Sequence, residues 1–274
     1  MSNEHQQWGT DCWGRLNEIP DVSPAVATLS GLPEGFREAR RAMLRKLNLQ
    51  PTSRVLEAGC GPGTALPDLL ELISPDGQIT GIDPTHGLIE VAKQRAQELG
   101  ARQVSYEVGD IRELKFADSS FDAVFCDKIL LHVAPISRAV AEMVRVARSG
   151  GRVGAVEWYS QGMTINASDY ALTRRIMDGS FPVAAYNPHV ALELEYWMRW
   201  AGLSVMIGGS VMAEAFQFMP SLKAMLTRRV QQATEQGAVE QAAGTAWLRA
   251  LEERDAQGRF YWGGLVRFAV GVKP

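Results

Sequence analysis

The chain has 274 residues, of which 46% are hydrophobic and 22% charged, and its formal net charge is −3. This composition is typical of a globular protein, and it excludes a global electrostatic attraction to nucleic acid. The three cysteines, Cys12, Cys60 and Cys126, form neither a C-x-x-C pair nor a His/Cys cluster. We therefore expect no disulfide framework, no metal site and a reducing, cytoplasmic setting.

We expect neither a signal peptide nor a membrane span. The first residues are polar, and no apolar run approaches the ~20 residues that span a bilayer. Residues 1–33 predict an irregular or short-helical lead-in, or lid, over the mouth of the site. Residues Glu34 to Leu47 have helical periodicity, and the basic cluster that contains Arg40 and Arg41 predicts a solvent-exposed face of that helix.

A short apolar run ending in three alternate glycines follows this helix. Val55 and Leu56 indicate a buried strand, and Gly59, Gly61 and Gly63 indicate a tight turn where backbone approaches a ligand. The stretch from Thr64 to Ile73 is helix-like. A strand, a glycine turn and a helix together predict the first unit of a nucleotide-binding βαβ fold.

Four further strands are predicted, and each ends in an acidic residue. They end at Asp83, Asp110, Asp127 and Glu157, and predicted helices from His86 to Leu99 and from Ile136 to Arg148 separate them. Ser149-Gly150-Gly151 predicts the turn before the last of these strands. The alternation predicts a parallel, doubly wound sheet with its site at the carboxyl ends of the strands.

The C-terminal third alternates less regularly. Helices are predicted over 166–177 and 190–200, and one or two more over 221–253; strands are predicted within 203–216 and over 260–272. Segments 160–188 and 218–258 are rich in aromatic residues and predict a substrate cap that closes over the site.

Glu57-Ala-Gly-Cys-Gly-Pro-Gly resembles motif I of the class I S-adenosylmethionine (SAM) dependent methyltransferases. The chain looks most like the subgroup that acts on quinones, sterols, tocopherols and natural-product sugars. The resemblance implies an α/β, Rossmann-like, seven-stranded sheet with its last strand antiparallel. It implies a SAM-binding core over 34–160 and, over 161–274, the rest of the core with helical cap insertions.

The resemblance also implies roles for individual residues. Gly59, Gly61 and Gly63 would line the methionine end of SAM with Glu57 nearby, and Asp127 would meet the methionine amino group. Asp83 would bind the ribose with Pro84 beside it. Asp110 would accept from the adenine amino group, with Ile111 against the ring. The residue types fit independently, because carboxylates complement a sulfonium, an ammonium and a ribose diol.

The acceptor side is predicted from aromatic residues and from histidine. The candidates for substrate contact are Trp158, Met163, Phe181 and Tyr186. His132 follows the fourth strand and is the candidate general base, Glu157 is the acid that orients it, and His189 is the second choice. The family's sugar O-methyltransferases resemble this arrangement, with a histidine after strand four and an acid after strand five.

These observations favour a SAM-dependent methyltransferase that acts on a small, largely apolar metabolite, with O-methylation favoured. A methyltransferase-fold enzyme that catalyses a cyclisation or isomerisation, with SAM retained, is the alternative. A non-enzymatic partner subunit is disfavoured by the intact glycine motif, and a dehydrogenase by its G-x-G-x-G spacing. We expect a small-molecule acceptor, no metal, no nucleic acid, no membrane span, and a monomer or homodimer.

Overall fold

The computed structural model describes residues 21–180 and 187–274, which form an eight-stranded sheet flanked by helices. The strands are β1 (Arg54–Ala58), β2 (Gln78–Asp83), β3 (Val104–Val108), β4 (Phe121–Asp127), β5 (Ala147–Trp158), β6 (Thr164–Ile165), β7 (Ser204–Ala215) and β8 (Trp262–Val272). Their order is β3-β2-β1-β4-β5-β8-β6, and β7 pairs with β8.

The first five strands run parallel, and the last strand runs against its neighbours. In the middle of the sheet, Val55 of β1 is paired with Ile79 of β2 on one side and with Ala123 of β4 on the other. Strand β8 is antiparallel to both β5 and β7. Because β1 and β4 are covered on both faces, their apolar residues are buried, and Val55, Leu56, Val124 and Phe125 are each 0% exposed.

Nine α-helices lie within the described residues. They are α1 (Ser23–Ser30), α2 (Glu34–Lys46), α3 (Leu66–Leu70), α4 (His86–Glu98), α5 (Ile136–Val146), α6 (Tyr170–Gly179), α7 (Val190–Trp200), α8 (Pro220–Glu235) and α9 (Gln241–Ala256). Helix α5 shows why they pack on the sheet: Ile136, Ala139, Val140 and Met143 lie three or four residues apart and are all buried.

The predicted fold class is confirmed, with two differences in detail. The sheet has eight strands rather than seven, because the two-residue β6 pairs with the start of β8 through Thr164 and Ile165. The predicted turn at Ser149-Gly150-Gly151 instead lies within β5. That strand begins at Ala147, which pairs with Phe121, and the next pair joins Ala123 to Arg152; the residues between them form an irregularity in the ladder, where Gly150 has a φ of 72°.

Helices α6, α8 and α9 pack on one another and share a single apolar core. Ile176, Leu226 and Leu251 contribute one buried side chain from each helix. The indole Nε1 of Trp247 in α9 donates a hydrogen bond of 2.8 Å to Thr173 Oγ1 in α6. The three helices lie in the predicted cap segments, and the closing motion of those segments stays a prediction.

The described residues lack both a membrane-spanning helix and a cluster of metal-binding side chains. No helix within 21–180 and 187–274 is long and apolar enough to cross a bilayer. The same residues contain no group of three or more His, Cys, Asp or Glu side chains that could hold a metal ion.

Candidate active site

The carboxyl ends of β1, β2, β3 and β4 meet at a pocket of about 370 Å³. This position follows from the parallel sheet, because strands that run in one direction present their ends at one edge. The lining residues include Leu29, Glu57, Gly59, Gly61, Asp83, Pro84, Asp110, Ile111, Arg112, Asp127, Lys128, Ile129, His132 and Val133. Leu29 belongs to α1, so the predicted lead-in does reach the pocket.

The glycine turn places bare backbone against the pocket. Gly59 and Gly61 have φ of 86° and 51°, a region that side-chain-bearing residues rarely adopt. A Cβ on Gly59 would overlap the Ile129 side chain, whereas one on Gly61 would come only within 3.8 Å of Leu29. The constraint at Gly61 is therefore its backbone conformation.

Gly63 has a different role from the other two glycines of the turn. It is not among the residues that line the pocket. A Cβ there would lie 3.0 Å from the Tyr106 hydroxyl and 3.2 Å from the Ala92 Cβ. The structure thus places Gly63 where the turn packs against α4 and β3, rather than at the predicted methionine end.

Asp83, at the end of β2, is held by two backbone groups. The Gly61 N–H donates to its Oδ2 at 3.0 Å and the Thr85 N–H to its Oδ1 at 2.9 Å. Burial raises the pKa of Asp83, and these hydrogen bonds oppose the rise. The carboxylate therefore ties the glycine turn to the second strand while it lines the pocket.

Asp110, just beyond β3, forms an ion pair with a residue two positions later. Arg112 Nη2 lies 2.6 Å from Asp110 Oδ2, and Arg112 Nε lies 3.0 Å from each carboxylate oxygen. Burial opposes ionisation, but the bonds from Arg112 outweigh it and hold the pKa of Asp110 below its ordinary value.

Asp127, at the end of β4, lies between two cations. Lys128 Nζ is 2.6 Å from its Oδ1, and Arg40 Nη1 is 3.1 Å from its Oδ2. Burial opposes ionisation of this carboxyl, but Lys128 and Arg40 outweigh it and keep the pKa of Asp127 low. The side chain is therefore a buried anion at the pocket wall.

The predicted solvent-exposed position of Arg40 is wrong. Arg40 is only 5% exposed and also donates to Asp68 Oδ2 at 2.8 Å and to the Thr64 carbonyl at 3.2 Å. It joins the helix after the glycine turn to the end of β4. A charged group is stable there because two carboxylates compensate it.

Glu57 provides a second carboxyl group on the pocket wall beside the glycine turn. It is 2% exposed, and its Oε2 has no hydrogen-bond partner within the described part of the chain. Burial raises the pKa of Glu57 to about 8. An unpartnered buried carboxyl oxygen at a pocket wall is well suited to a cationic or hydrogen-donating ligand.

The sequence match agrees with this geometry. Residues 56–154 match the protein family described as methyltransferase domain, and this range covers the strand ends that build the pocket. The chain carries a class I SAM-dependent methyltransferase domain.

Two curated relatives and one solved structure illustrate the likeness. A 37.1 kDa protein in transposon TN4556 of Streptomyces fradiae is 39% identical over 181 residues, which cover 65% of this chain and 48% of that protein. A demethylmenaquinone methyltransferase of Bacillus cytotoxicus is 30% identical over 157 residues, 57% of this chain and 65% of that one. The chain thus aligns with less than two thirds of either relative.

The solved structure shows that the fold extends beyond the matched domain. The [4+2]-cyclase SpnF superimposes with a TM-score of 0.59 at 19% identity, over 92% of this chain and 93% of that one. At this identity the likeness shows the fold alone. The shared fold therefore includes the C-terminal strands and helices as well as residues 56–154.

The two predicted catalytic residues are connected through one 3₁₀ turn. His132 ends the 3₁₀ turn Leu130–His132 and lines the pocket. Glu157 is 0% exposed, and its Oε1 accepts a 2.6 Å hydrogen bond from the Leu130 N–H of that turn. Burial raises the pKa of Glu157 to about 8. Glu157 is not among the pocket-lining residues, so it acts on the turn that carries His132.

The predicted acceptor residues lie outside the methyltransferase pocket or outside the described residues. Trp158 packs edge-on against Phe36 with ring centroids 5.9 Å apart, and Met163 is 8% exposed in the apolar core. Neither lines the pocket. Phe181 and Tyr186 lie outside the described residues.

The pocket residues that were not predicted include Leu29, Arg112 and Lys128. Lys128 directly follows Asp127, and Arg112 is two residues after Asp110. A basic residue this close to a strand-end carboxylate is a usable signal, because a short chain separation forces the opposite charges together. Leu29 carries no comparable signal.

Proposed function

We propose that this protein transfers a methyl group from SAM to a small, largely apolar metabolite, with an oxygen atom as the favoured acceptor. The observation that supports it is the convergence of Glu57, Asp83, Asp110 and Asp127 in one pocket beside the glycine turn. Four carboxylates at the ends of four adjacent strands suit a ligand with an ammonium, a sulfonium, a ribose diol and an amino group.

The residues present fit SAM. Asp83 is placed to accept hydrogen bonds from ribose hydroxyls, and Asp110 with Ile111 forms the end that would hold adenine. Asp127 and Glu57 form the carboxyl-lined end that would take the methionine ammonium, and Gly59 and Gly61 leave room there for backbone contact. Bound SAM supplies an activated methyl group on a positively charged sulfur.

His132 is the group we assign to proton transfer. Its position on the pocket wall after β4 allows the imidazole to accept the proton of an acceptor hydroxyl. Glu157 is a positioning residue in this scheme, because its bond to the Leu130 N–H fixes the turn that ends at His132. Precise placement of the base and exclusion of water would supply much of the rate enhancement.

The acceptor class rests on chemistry and on the relatives together. The Bacillus cytotoxicus relative is named for demethylmenaquinone, and an aromatic, mostly apolar acceptor of that general kind suits the aromatic-rich cap segments. We further propose that segments 160–188 and 218–258 close over the acceptor, that the protein acts in the cytoplasm as a monomer or homodimer, and that it uses neither metal nor nucleic acid.

The experiment combines binding with product mass. Calorimetry of the full chain with SAM and with S-adenosylhomocysteine should give micromolar dissociation constants, about −8 kcal/mol. Hydroxylated aromatic acceptors should then yield S-adenosylhomocysteine and products heavier by one CH₂ unit.

Three results would contradict parts of this proposal. Folded protein that binds neither ligand would overturn it entirely. Binding together with a converted product of unchanged mass would replace methyl transfer with a cyclisation or isomerisation. A methylated carbon or nitrogen would retain methyl transfer and correct the acceptor atom.

A further inference from the structure

We propose that Arg112 is a positioning residue that sets the selectivity of the pocket for adenine over a 6-oxo purine. This inference rests on the proposed function, because it concerns the SAM nucleoside. Arg112 lines the same pocket end as Asp110, Ile111 and Val133.

Arg112 orients the Asp110 carboxylate. Arg112 contacts it from three nitrogens: the backbone N–H at 2.8 Å and Nε at 3.0 Å on Oδ1, and Nη2 at 2.6 Å on Oδ2. A planar guanidinium in this two-point arrangement fixes the plane of the carboxylate as well as its charge. A lysine could supply the charge but not the plane.

Arg112 is itself held by hydrogen bonds to two other residues. Its Nη1 donates to the Ala134 carbonyl at 3.1 Å, and its own carbonyl accepts from Arg138 Nε at 3.0 Å. Ala134 lies in the segment that follows His132, and its neighbour Val133 lines the pocket. Arg112 therefore ties Asp110 to the segment that follows β4.

An oriented Asp110 carboxylate can distinguish a 6-amino purine from a 6-oxo purine. A fixed, ionised carboxylate accepts a hydrogen bond from a 6-amino group, but it repels the oxygen of a 6-oxo group. A site that pairs with a substrate N–H discriminates against the analogue that presents an oxygen in its place. Without Arg112, Asp110 could rotate toward solvent, and the penalty against the 6-oxo purine would fall.

The test is a binding comparison of S-adenosylhomocysteine with S-inosylhomocysteine, which differ at the 6-position of the base. The unsubstituted protein should prefer the adenine ligand by at least ~10-fold. Arg112→Leu should lower the affinity for S-adenosylhomocysteine by ~10-fold and barely change the affinity for S-inosylhomocysteine. The preference for the adenine ligand should therefore be lost. Arg112→Lys, which keeps the charge, should lie between the two.

Two controls make the result specific. Arg148→Leu removes another cation, paired with Asp122 at 2.6 Å at the start of β4, and should leave both affinities unchanged. Asp110→Asn combined with Arg112→Leu should cost little more than Asp110→Asn alone, because both groups act through one carboxylate.

Each contrary outcome has a distinct meaning. Equal losses for both ligands in Arg112→Leu would make Arg112 merely structural, and tighter adenine binding would make it a competitor for Asp110. Either result overturns the inference alone. Absence of binding by the unsubstituted protein would overturn the proposed function and this inference with it.

Discussion

The carboxyl ends of the parallel strands and the layer of helices α6, α8 and α9 bury different kinds of side chain. At the ends of β1–β4 the structure buries ionisable groups: the side chains of Glu57, Asp83, Asp127 and Arg40 are all buried. The layer of α6, α8 and α9 instead buries leucine, isoleucine and tryptophan side chains such as Leu226 and Trp247. Both regions are interior, and the cost of desolvating ionisable groups is concentrated in the first; in the helical layer Arg229 of α8 is also buried, at 5% exposed, and donates to Ser180 Oγ at 3.1 Å.

This difference separates what the two regions contribute. A buried charge is stable only beside a partner. Each carboxyl group at the strand ends therefore has a specific donor or cation, or could receive one from a bound ligand. An apolar layer needs only shape and volume. We therefore expect substitutions at the strand ends to change chemistry or pH dependence, and substitutions in the helical layer to change stability alone.

The largest expected effect is on turnover. His132→Ala should lower kcat by ~10²–10⁴-fold, the range for loss of a general base, with unchanged affinity for S-adenosylhomocysteine. Steady-state kinetics and calorimetry would measure the two quantities. His189→Ala, whose imidazole lies beside the Tyr159 ring outside the pocket, is the matched control and should retain at least a tenth of kcat. A His132→Ala loss below tenfold would remove this residue from the mechanism.

The next effect is on stability at the strand ends. Arg40→Met should lower the free energy of unfolding by about 3–5 kcal/mol, because Asp68 and Asp127 would lose their buried cation. Arg37→Met is the control. Its side chain is 39% exposed and pairs with the same Asp68, so its loss should be under ~1 kcal/mol. Equal losses in urea denaturation would show that burial of the arginine is unimportant.

The buried Glu157 predicts an unusual pH dependence. Its pKa is raised to about 8 in the folded protein, so folding favours the protonated acid. Its contribution to stability is present below the ordinary pKa and is lost as the pH rises toward 8, at up to about 1.4 kcal/mol per pH unit. Relative to Glu157→Gln, the unsubstituted protein should therefore lose stability between pH 5 and 8.

A carboxylate with the opposite shift is the control for that experiment. Arg145 holds the pKa of Glu142 below its ordinary value, so Glu142 loses its contribution only as the pH falls through the acid range. Glu142→Gln should therefore not flatten the curve between pH 5 and 8. If Glu157→Gln shows the same slope as the unsubstituted protein, the buried acid is not the source of the pH dependence.

The smallest effect tests the helical layer. Thr173→Val should lower the free energy of unfolding by about 1–3 kcal/mol, because the buried Trp247 Nε1–H loses its acceptor. Affinity for S-adenosylhomocysteine should not change. Thr245→Val, an exposed change in the same helix as Trp247, should have almost no effect on stability. A change in ligand affinity from Thr173→Val would contradict the separation of the two regions.

Much of the architecture could be predicted because it depends on short-range sequence patterns. Apolar runs predicted β1 and β4, and Gly59 and Gly61 predicted a turn whose φ angles are indeed positive. Helix α7 begins and ends where its periodicity indicated. The acids that end β2 and β4 and the one that follows β3 could be assigned to one site because parallel strands end at one edge. The short β6 was missed because two residues show no measurable alternation.

The sequence by itself determined the order of strands and helices, the glycine turn and the position of the acids along the chain. Only the tertiary structure decided which charges meet, because Arg40 lies 28 residues from Asp68 and 87 from Asp127. The spacing of basic residues on α2 predicts an exposed face as readily as a buried one. The choice is made by the electrostatics of the fold: a guanidinium leaves water only where chain folding brings carboxylates to it.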